Sequence, residues 1–178
     1  MKKDIQPGKD ILESVLGNYA RYGMTKSFCE AVIADKFLFE AVLKGNLKIK
    51  PQSIRENDLY RREVLASQPK GFEIVRATWK QVNISTSIHG HPQFAYYQVL
   101  SGRYRMKFFT PVEGEPGFVR PTGKEILLDC YTNPIFHSLA EKKTYQNAIH
   151  TVTPIEPGET LLIYSEPADR GECFQLKI

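Results

Sequence analysis

Apolar residues recur at helical spacing in the first quarter of the chain. The first stripe consists of Ile11, Val15, Leu16 and Tyr19. Gly23 follows it as a stop signal. A second stripe consists of Phe28, Val32, Phe37, Val42 and Leu43. Stripes of this kind usually face a core, so we expect two helices within residues 8–45 that pack on a sheet.

After residue 51 the apolar positions alternate instead, which indicates strands. The expected strands cover residues 59–65, 72–79, 94–100, 104–109, 126–130, 150–154, 160–164 and 173–178. Glycines and prolines over residues 114–123 predict a loop between two of them. Many short strands separated by turn signals favour a sandwich or a barrel. The expected fold class is therefore mainly β, a small β-barrel with an N-terminal helical segment.

Composition and charge exclude several classes of protein. With 178 residues, one domain is the default. The net charge is +4 and the basic residues are scattered, so we expect no nucleic-acid partner. No apolar run approaches the roughly 18 residues of a membrane span, and no signal peptide is evident, so we expect no membrane partner. Three cysteines at unrelated spacings do not form a disulfide framework, which favours a cytoplasmic location.

A pair of histidines, His89 and His91, precedes one of the predicted strands. Residues at i and i+2 of an extended strand point to the same face, so both imidazoles can reach one point. Imidazole is the commonest protein ligand for transition metals near neutral pH. A further histidine, His150, lies far downstream at the start of another predicted strand.

This histidine pattern resembles the cupins. Their first motif is His-x-His followed by a glutamate and a glycine; here Gly102 fits, whereas Ala95 stands in the glutamate position. The second motif supplies one more histidine, which His150 matches. A cupin with three histidines and no glutamate is similar to the thiol dioxygenases of the cysteine dioxygenase type. The resemblance implies a jelly-roll-like cupin barrel over residues 51–178, with residues 1–50 as a helical cover of the same domain.

The resemblance also implies the ligands and the substrate contacts. Fe(II) would be held by His89, His91 and His150. The stretch Tyr60-Arg61-Arg62 is similar to the family's Tyr-x-Arg strand, in which the arginine binds the substrate carboxylate and the tyrosine packs beside it. A guanidinium suits this task because its planar fork can donate two parallel hydrogen bonds. Arg61, on the opposite face of the strand, is the alternative anchor.

A second part of the resemblance concerns the strand at residues 160–164. In the family, a Ser-His-Tyr relay near the metal occupies the positions of Thr160, Leu162 and Tyr164. Tyr164 would donate a hydrogen bond to bound oxygen or thiolate, although Leu162 removes the imidazole that orients it. Ala95 cannot form the thioether that some relatives make with this tyrosine. Tyr97, at the same strand parity as Ala95, is expected to fill the space beside the substrate.

The function that these features imply is a cytoplasmic, mononuclear Fe(II) thiol dioxygenase. It would use O2 to convert a small thiol carboxylate, cysteine or similar, into its sulfinic acid. One alternative is a metal-dependent cupin oxygenase on a non-cysteine substrate, which Leu162 favours. Another is a non-catalytic cupin that binds a small molecule. The sequence leaves open the substrate, the metal and the oligomeric state.

Overall fold

Two helices and eleven strands form the described part of the chain. The computed structural model describes residues 7–23, 25–34, 50–67, 73–91, 93–140, 146–167 and 171–177. The helices are α1 (Pro7–Tyr22) and α2 (Lys26–Ala34). The strands are β1 (Ser53–Glu56), β2 (Tyr60–Ser67), β3 (Glu73–Trp79), β4 (His89–His91), β5 (Phe94–Val99), β6 (Arg103–Pro111), β7 (Phe118–Asp129), β8 (Ile135–Leu139), β9 (Asn147–Glu156), β10 (Gly158–Tyr164) and β11 (Gln175–Leu176).

The strands form two sheets. The first has the order β1-β2-β3-β10-β5-β8, and the second has the order β11-β7-β6-β9-β4. All pairings are antiparallel except the short contact of β11 with β7. Strands distant in sequence are neighbours in both sheets, as in a jelly roll. The expected mainly β class is confirmed.

A core of side chains from both sheets lies between them. Val75, Leu162 and Tyr164 come from the first sheet, and Tyr104 and Met106 come from the second. Alternation along each strand supplies these inward residues, as the sequence pattern predicts. Part of the barrel interior is therefore a packed core.

The helices cover the outer face of the first sheet. Val15 and Phe28 pack with Ile74 and Phe94, and the rings of Phe28 and Phe94 are 5.4 Å apart edge to face. Gly23 ends α1 as expected: its φ is +61°, and its amide donates to the Tyr19 carbonyl at 2.8 Å. The predicted contacts of Phe37, Val42 and Leu43 lie outside the described residues. The division at residue 50 stays a prediction.

Neither of the described helices is both long and apolar enough to cross a bilayer.

The predicted loop at residues 114–123 is wrong in its second half. The strand β7 begins at Phe118 and runs through Pro121 and Gly123. Its register with β6 shifts there, Gly123 has a φ of +75°, and the Thr122 hydroxyl donates to the Phe108 carbonyl. Proline and glycine therefore mark a bulge inside a continuing strand.

Three edge elements also differ from the expectation. The pattern does not predict β1 or β8, because their residues lack clear alternation; β1 is exposed along its whole length. The last strand, expected over residues 173–178, is limited to Gln175–Leu176 within the described residues. An edge strand with the same degree of exposure on both faces has no alternation of buried and exposed positions, and β1, β8 and β11 are of this kind.

Gly158 offers a test of the packing between turns. A Cβ at this position would lie 2.2 Å from the Ser101 carbonyl oxygen, which is backbone and cannot turn away. We expect Gly158→Ala to lower the free energy of unfolding by about 2 kcal/mol, since overpacking of a rigid contact forces a backbone shift. Urea denaturation would measure the change.

Gly17→Ala is the matched control, because nothing lies within 4 Å of a Cβ at this helical position. Its stability should rise by up to about 1 kcal/mol. Equal stability of the two variants would contradict the predicted clash.

Candidate metal centre

Three histidines converge inside the barrel. His89 and His91 lie on β4, and His150 lies on the neighbouring strand β9, directly opposite His89. The ring centres are 5.1 Å apart for His89 and His91, 4.7 Å for His89 and His150, and 4.8 Å for His91 and His150. One nitrogen from each ring lies within 4.8 Å of the others. The structure thus brings together all three histidines that the sequence singled out as metal ligands.

Backbone carbonyls orient two of the rings. The Nδ1 atom of His89 is 2.9 Å from the Ser87 carbonyl, and that of His150 is 2.6 Å from the Ala148 carbonyl. A carbonyl accepts, so Nδ1 carries the proton in both rings. The lone pair is then on Nε2, the nitrogen that remains for a metal.

Burial keeps the three imidazoles neutral. It lowers the pKa of His89, lowers that of His91 well below its usual value, and lowers the pKa of His150 to about 3. The neighbouring histidines add to the effect at His91 and His150, since positive charges side by side repel. Neutral imidazoles are the form that binds metals.

This donor set fits a divalent transition-metal ion. Three imidazoles on one side of an ion leave other positions open, as in catalytic rather than closed structural sites. Within the described parts of the chain, no carboxylate belongs to the cluster. The ligand set would therefore be neutral.

A cavity of about 650 Å³ adjoins the cluster. Five of the six residues expected to act on or bind a substrate line it: Tyr60, Arg62, Tyr97, Leu162 and Tyr164. Thr160 does not line the cavity. It is fully buried, and its hydroxyl accepts a hydrogen bond from the Trp79 indole at 3.0 Å, so it lies behind the wall.

Tyr164 lines the cavity and contacts a candidate ligand. Its ring stacks on that of His91, with centres 4.9 Å apart and planes 21° apart. Burial raises the pKa of Tyr164, and the nearby Arg62 offsets only part of this. The phenol is therefore protonated at neutral pH and can act as a hydrogen-bond donor. On β5, Ala95 is its cross-strand partner, so a thioether with a neighbouring cysteine is not formed at this position.

Leu162 and Tyr97 form another part of the wall. Leu162 lies opposite both Val75 and Tyr97 in the sheet. An apolar side chain therefore occupies the position at which the thiol dioxygenases that the sequence resembles have a histidine. The Tyr97 phenol oxygen is buried, with the Thr160 hydroxyl as a neighbour. Burial raises the pKa of Tyr97 well above its usual value, so the phenol is protonated at neutral pH.

The sequence pattern missed a residue beside the site. Glu73, at the start of β3, forms an ion pair with Arg62 through Oε2 and Nη2. Both side chains are largely buried, with 13% of Arg62 and 6% of Glu73 exposed. Glu73 has the parity of Val75, Ala77 and Trp79, which face inward. A charged residue at an inward position was the signal that could have revealed it.

Sequence comparisons give no relatives for this chain. No protein-family model matches it, and no curated protein matches it.

Solved structures share its fold. The structure of CapF matches with a TM-score of 0.52 at 12% identity. The match covers 93% of this chain and 47% of the CapF chain. An RmlC-like cupin from Shewanella frigidimarina has a TM-score of 0.46 at 11% identity, covering 66% of this chain and 89% of that one. KdgF from Halomonas sp. has a TM-score of 0.46 at 12% identity, covering 66% of this chain and 91% of that one.

At such low identity these likenesses concern the fold alone. The two facing sheets and their strand order confirm the expected jelly-roll-like barrel, and the likeness to CapF extends over 93% of this chain. The chain is a jelly-roll-like barrel with a three-histidine cluster that could hold a metal ion. The cysteine dioxygenase family within the cupins stays a proposal.

The metal assignment predicts the effect of each histidine. We expect about one divalent metal ion per chain, and its loss in His89→Ala, His91→Ala and His150→Ala, because two imidazoles hold an ion much more weakly than three. Mass spectrometry of the folded proteins would measure metal content.

His137→Ala is the control for this series. His137 lies exposed on β8, opposite Tyr96, and is not part of the cluster. Metal content should be unchanged in it. Equal metal content in wild type and His150→Ala would refute the assignment.

Proposed function

We propose that this protein is a mononuclear iron dioxygenase that converts a small thiol into its sulfinic acid. The observation that carries the proposal is the buried cluster of three neutral imidazoles beside the cavity. A neutral ligand set balances an anionic thiolate at a divalent ion without building excess negative charge. This is the electrostatic argument for thiol chemistry over other cupin reactions.

The residues of the site would have three roles: metal ligands, a hydrogen-bond donor and the lining of the cavity. Bound Fe(II) would supply a Lewis-acidic centre with positions where thiolate and O2 come together. His89, His91 and His150 would hold it. Tyr164 keeps its proton on Oη at neutral pH and would donate a hydrogen bond toward the reacting groups. The side chains of Tyr60, Tyr97 and Leu162 would exclude water from the reaction.

The family resemblance proposes cysteine or a similar thiol carboxylate as the substrate, with Arg62 as the anchor. Arg62 lines the cavity, and Tyr60 lies on the same face of β2. However, Nη2 of Arg62 already binds the Glu73 carboxylate. This contact limits what else the Arg62 guanidinium can bind.

A second candidate is a metal-dependent cupin oxygenase that acts on a larger substrate without a thiol. Two observations favour it. The cavity of about 650 Å³ has more room than a thiol of cysteine's size fills, and Leu162 makes its wall apolar. A cupin that binds its ligand without turnover would have the same cavity but would consume no O2.

We also propose a small thiol and O2 as partners, with neither nucleic acid nor membrane, and the cytoplasm as the location. Cys130 and Cys173 are free thiols, as is usual in a reducing compartment.

Oxygen consumption tests the proposed reaction. The iron-loaded protein should consume O2 with at least one small thiol and form a sulfinic acid that carries both atoms of labelled O2, as mass spectrometry would show. The zinc-loaded protein is the control and should consume none, because zinc has no redox chemistry. Oxygen uptake only with substrates that lack a thiol would instead support the second candidate.

Tyr164→Phe tests the proposed hydrogen bond. Loss of a donor to a charged group costs about 1.5–3 kcal/mol, so we expect kcat to fall by about tenfold or more. Iron content should stay unchanged, because the phenyl ring can still stack on His91. Tyr97→Phe offers a comparison on the same wall. An unchanged kcat in Tyr164→Phe would remove this residue from the mechanism.

A further inference from the structure

The strands β2 and β3 carry two ion pairs on opposite faces. Arg62 and Glu73 pair on the inner face, at the cavity, whereas Glu63 and Arg76 pair on the outer face and are directly opposite in the register. Both carboxylates are largely buried, with 6% of Glu73 and 9% of Glu63 exposed. Of these two pairs, only the inner one adjoins the cavity, so the outer pair provides a matched comparison for it.

The inner pair presents one of its two charges to the cavity. Arg62 belongs to the lining, whereas Glu73 does not and lies behind it. Glu73 is also the cross-strand partner of Tyr164, the residue that stacks on His91. Its negative charge is thus fixed close to the place where a substrate anchored by Arg62 would lie.

The position of Glu73 changes what Arg62 can bind. A substrate carboxylate at Arg62 would be attracted by the guanidinium and repelled by Glu73 a few ångströms further on. Glu73 lies farther from such a substrate than Arg62 does, so its repulsion offsets part of the attraction, and the remainder must also cover the cost of taking the substrate carboxylate out of water. Glu73 is the only hydrogen-bond or ion-pair partner found for Arg62 among the described residues.

We propose that Glu73 is a specificity-determining residue that selects against a carboxylate at Arg62. The inference rests on the proposed thiol dioxygenase function and narrows its substrate to a thiol that is uncharged on the side facing Arg62. The apolar wall of Tyr60, Leu162 and Trp79 suits such a group. A charged group elsewhere on the substrate would lie toward Arg55 and Glu56, which also line the cavity.

Two nearly isosteric thiols provide the test. They are 3-sulfanylpropanamide, which is neutral, and 3-sulfanylpropanoate, which carries a carboxylate. The measured quantity is the ratio of kcat/KM for the carboxylate thiol to that for the neutral thiol, determined with the iron-loaded protein. Glu73→Gln removes the negative charge and keeps the size of the side chain. Glu63→Gln is the control, because it breaks ion pairs on the outer face, with Arg76 and with Arg61.

We expect Glu73→Gln to raise this ratio by about tenfold or more, since the repulsion it removes corresponds to at least one decade in binding. Glu63→Gln should change the ratio by less than about twofold. A ratio that is unchanged or lowered in Glu73→Gln overturns the proposal, and a lowered one would mean that Glu73 positions Arg62 for a carboxylate.

A double variant decides the question if Glu73→Gln does not fold. Arg62→Gln/Glu73→Gln removes both charges and keeps two groups that can hydrogen-bond. If the pair is already neutral toward a substrate, the ratio should stay within about twofold of wild type. A fall of about tenfold or more, as expected from the loss of a carboxylate anchor, overturns the proposal.

A binding measurement separates this inference from the proposed function. Propanoate should raise the melting temperature of Glu73→Gln but not that of wild type or Glu63→Gln, because a ligand stabilises only the form it binds. If wild type oxidises neither thiol, the proposed function fails, while the propanoate result still decides the role of Glu73. A propanoate effect as large in wild type as in Glu73→Gln overturns the inference.

Discussion

The antiparallel pairing of β4 with β9 is the constraint on which the site depends. It places His89 opposite His150, and its register shift places His91 opposite Asn147. Cross-strand neighbours have Cβ atoms about 5 Å apart, close enough for two imidazoles to reach one ion. A slip of one residue would turn His150 to the other face of the sheet, away from His89 and His91. The register is therefore a functional property of the fold and not only a structural one.

Asn147 secures this register from the side. Its amide donates to the Gln93 carbonyl and to the Ser138 hydroxyl, each at 3.0 Å. These contacts join the start of β9 to the turn after β4 and to β8, which belongs to the other sheet. The closure of the barrel and the position of the histidines thus share the same hydrogen bonds. These hydrogen bonds add to the ring contacts of Tyr164, Phe108 and Phe136 with the histidines in holding the site rigidly.

The sequence predicted the parts of the site that follow local rules. The i, i+2 spacing of His89 and His91 sets their common face, and the same parity places Tyr60 and Arg62 toward the cavity. The ion pair of Arg62 with Glu73 could not be predicted in this way, because the partners are not opposite each other: Arg62 faces Ala77 in the register, and its long side chain runs along the sheet to Glu73. The bulge in β7 was not predicted for a related reason. Proline and glycine occur both in loops and in bulged strands, so their presence does not distinguish the two.

The ion pair of Arg62 and Glu73 also bears on why charge is present at this site at all. Taking two charges out of water costs several kcal/mol per ion, and their attraction offsets this only with good geometry. Well-packed apolar side chains in the same space would often be as stable. Stability is therefore a weak reason for the pair, whereas its place beside Tyr164 and the histidine cluster gives it an electrostatic role. Because a positive charge is presented to the cavity and its counter-charge is held behind it, the protein can offer hydrogen-bond donors to a ligand without offering a net charge. An arginine paired with a glutamate offers the directed N–H donors of a guanidinium without a net charge. A solitary arginine offers the same donors together with a full positive charge.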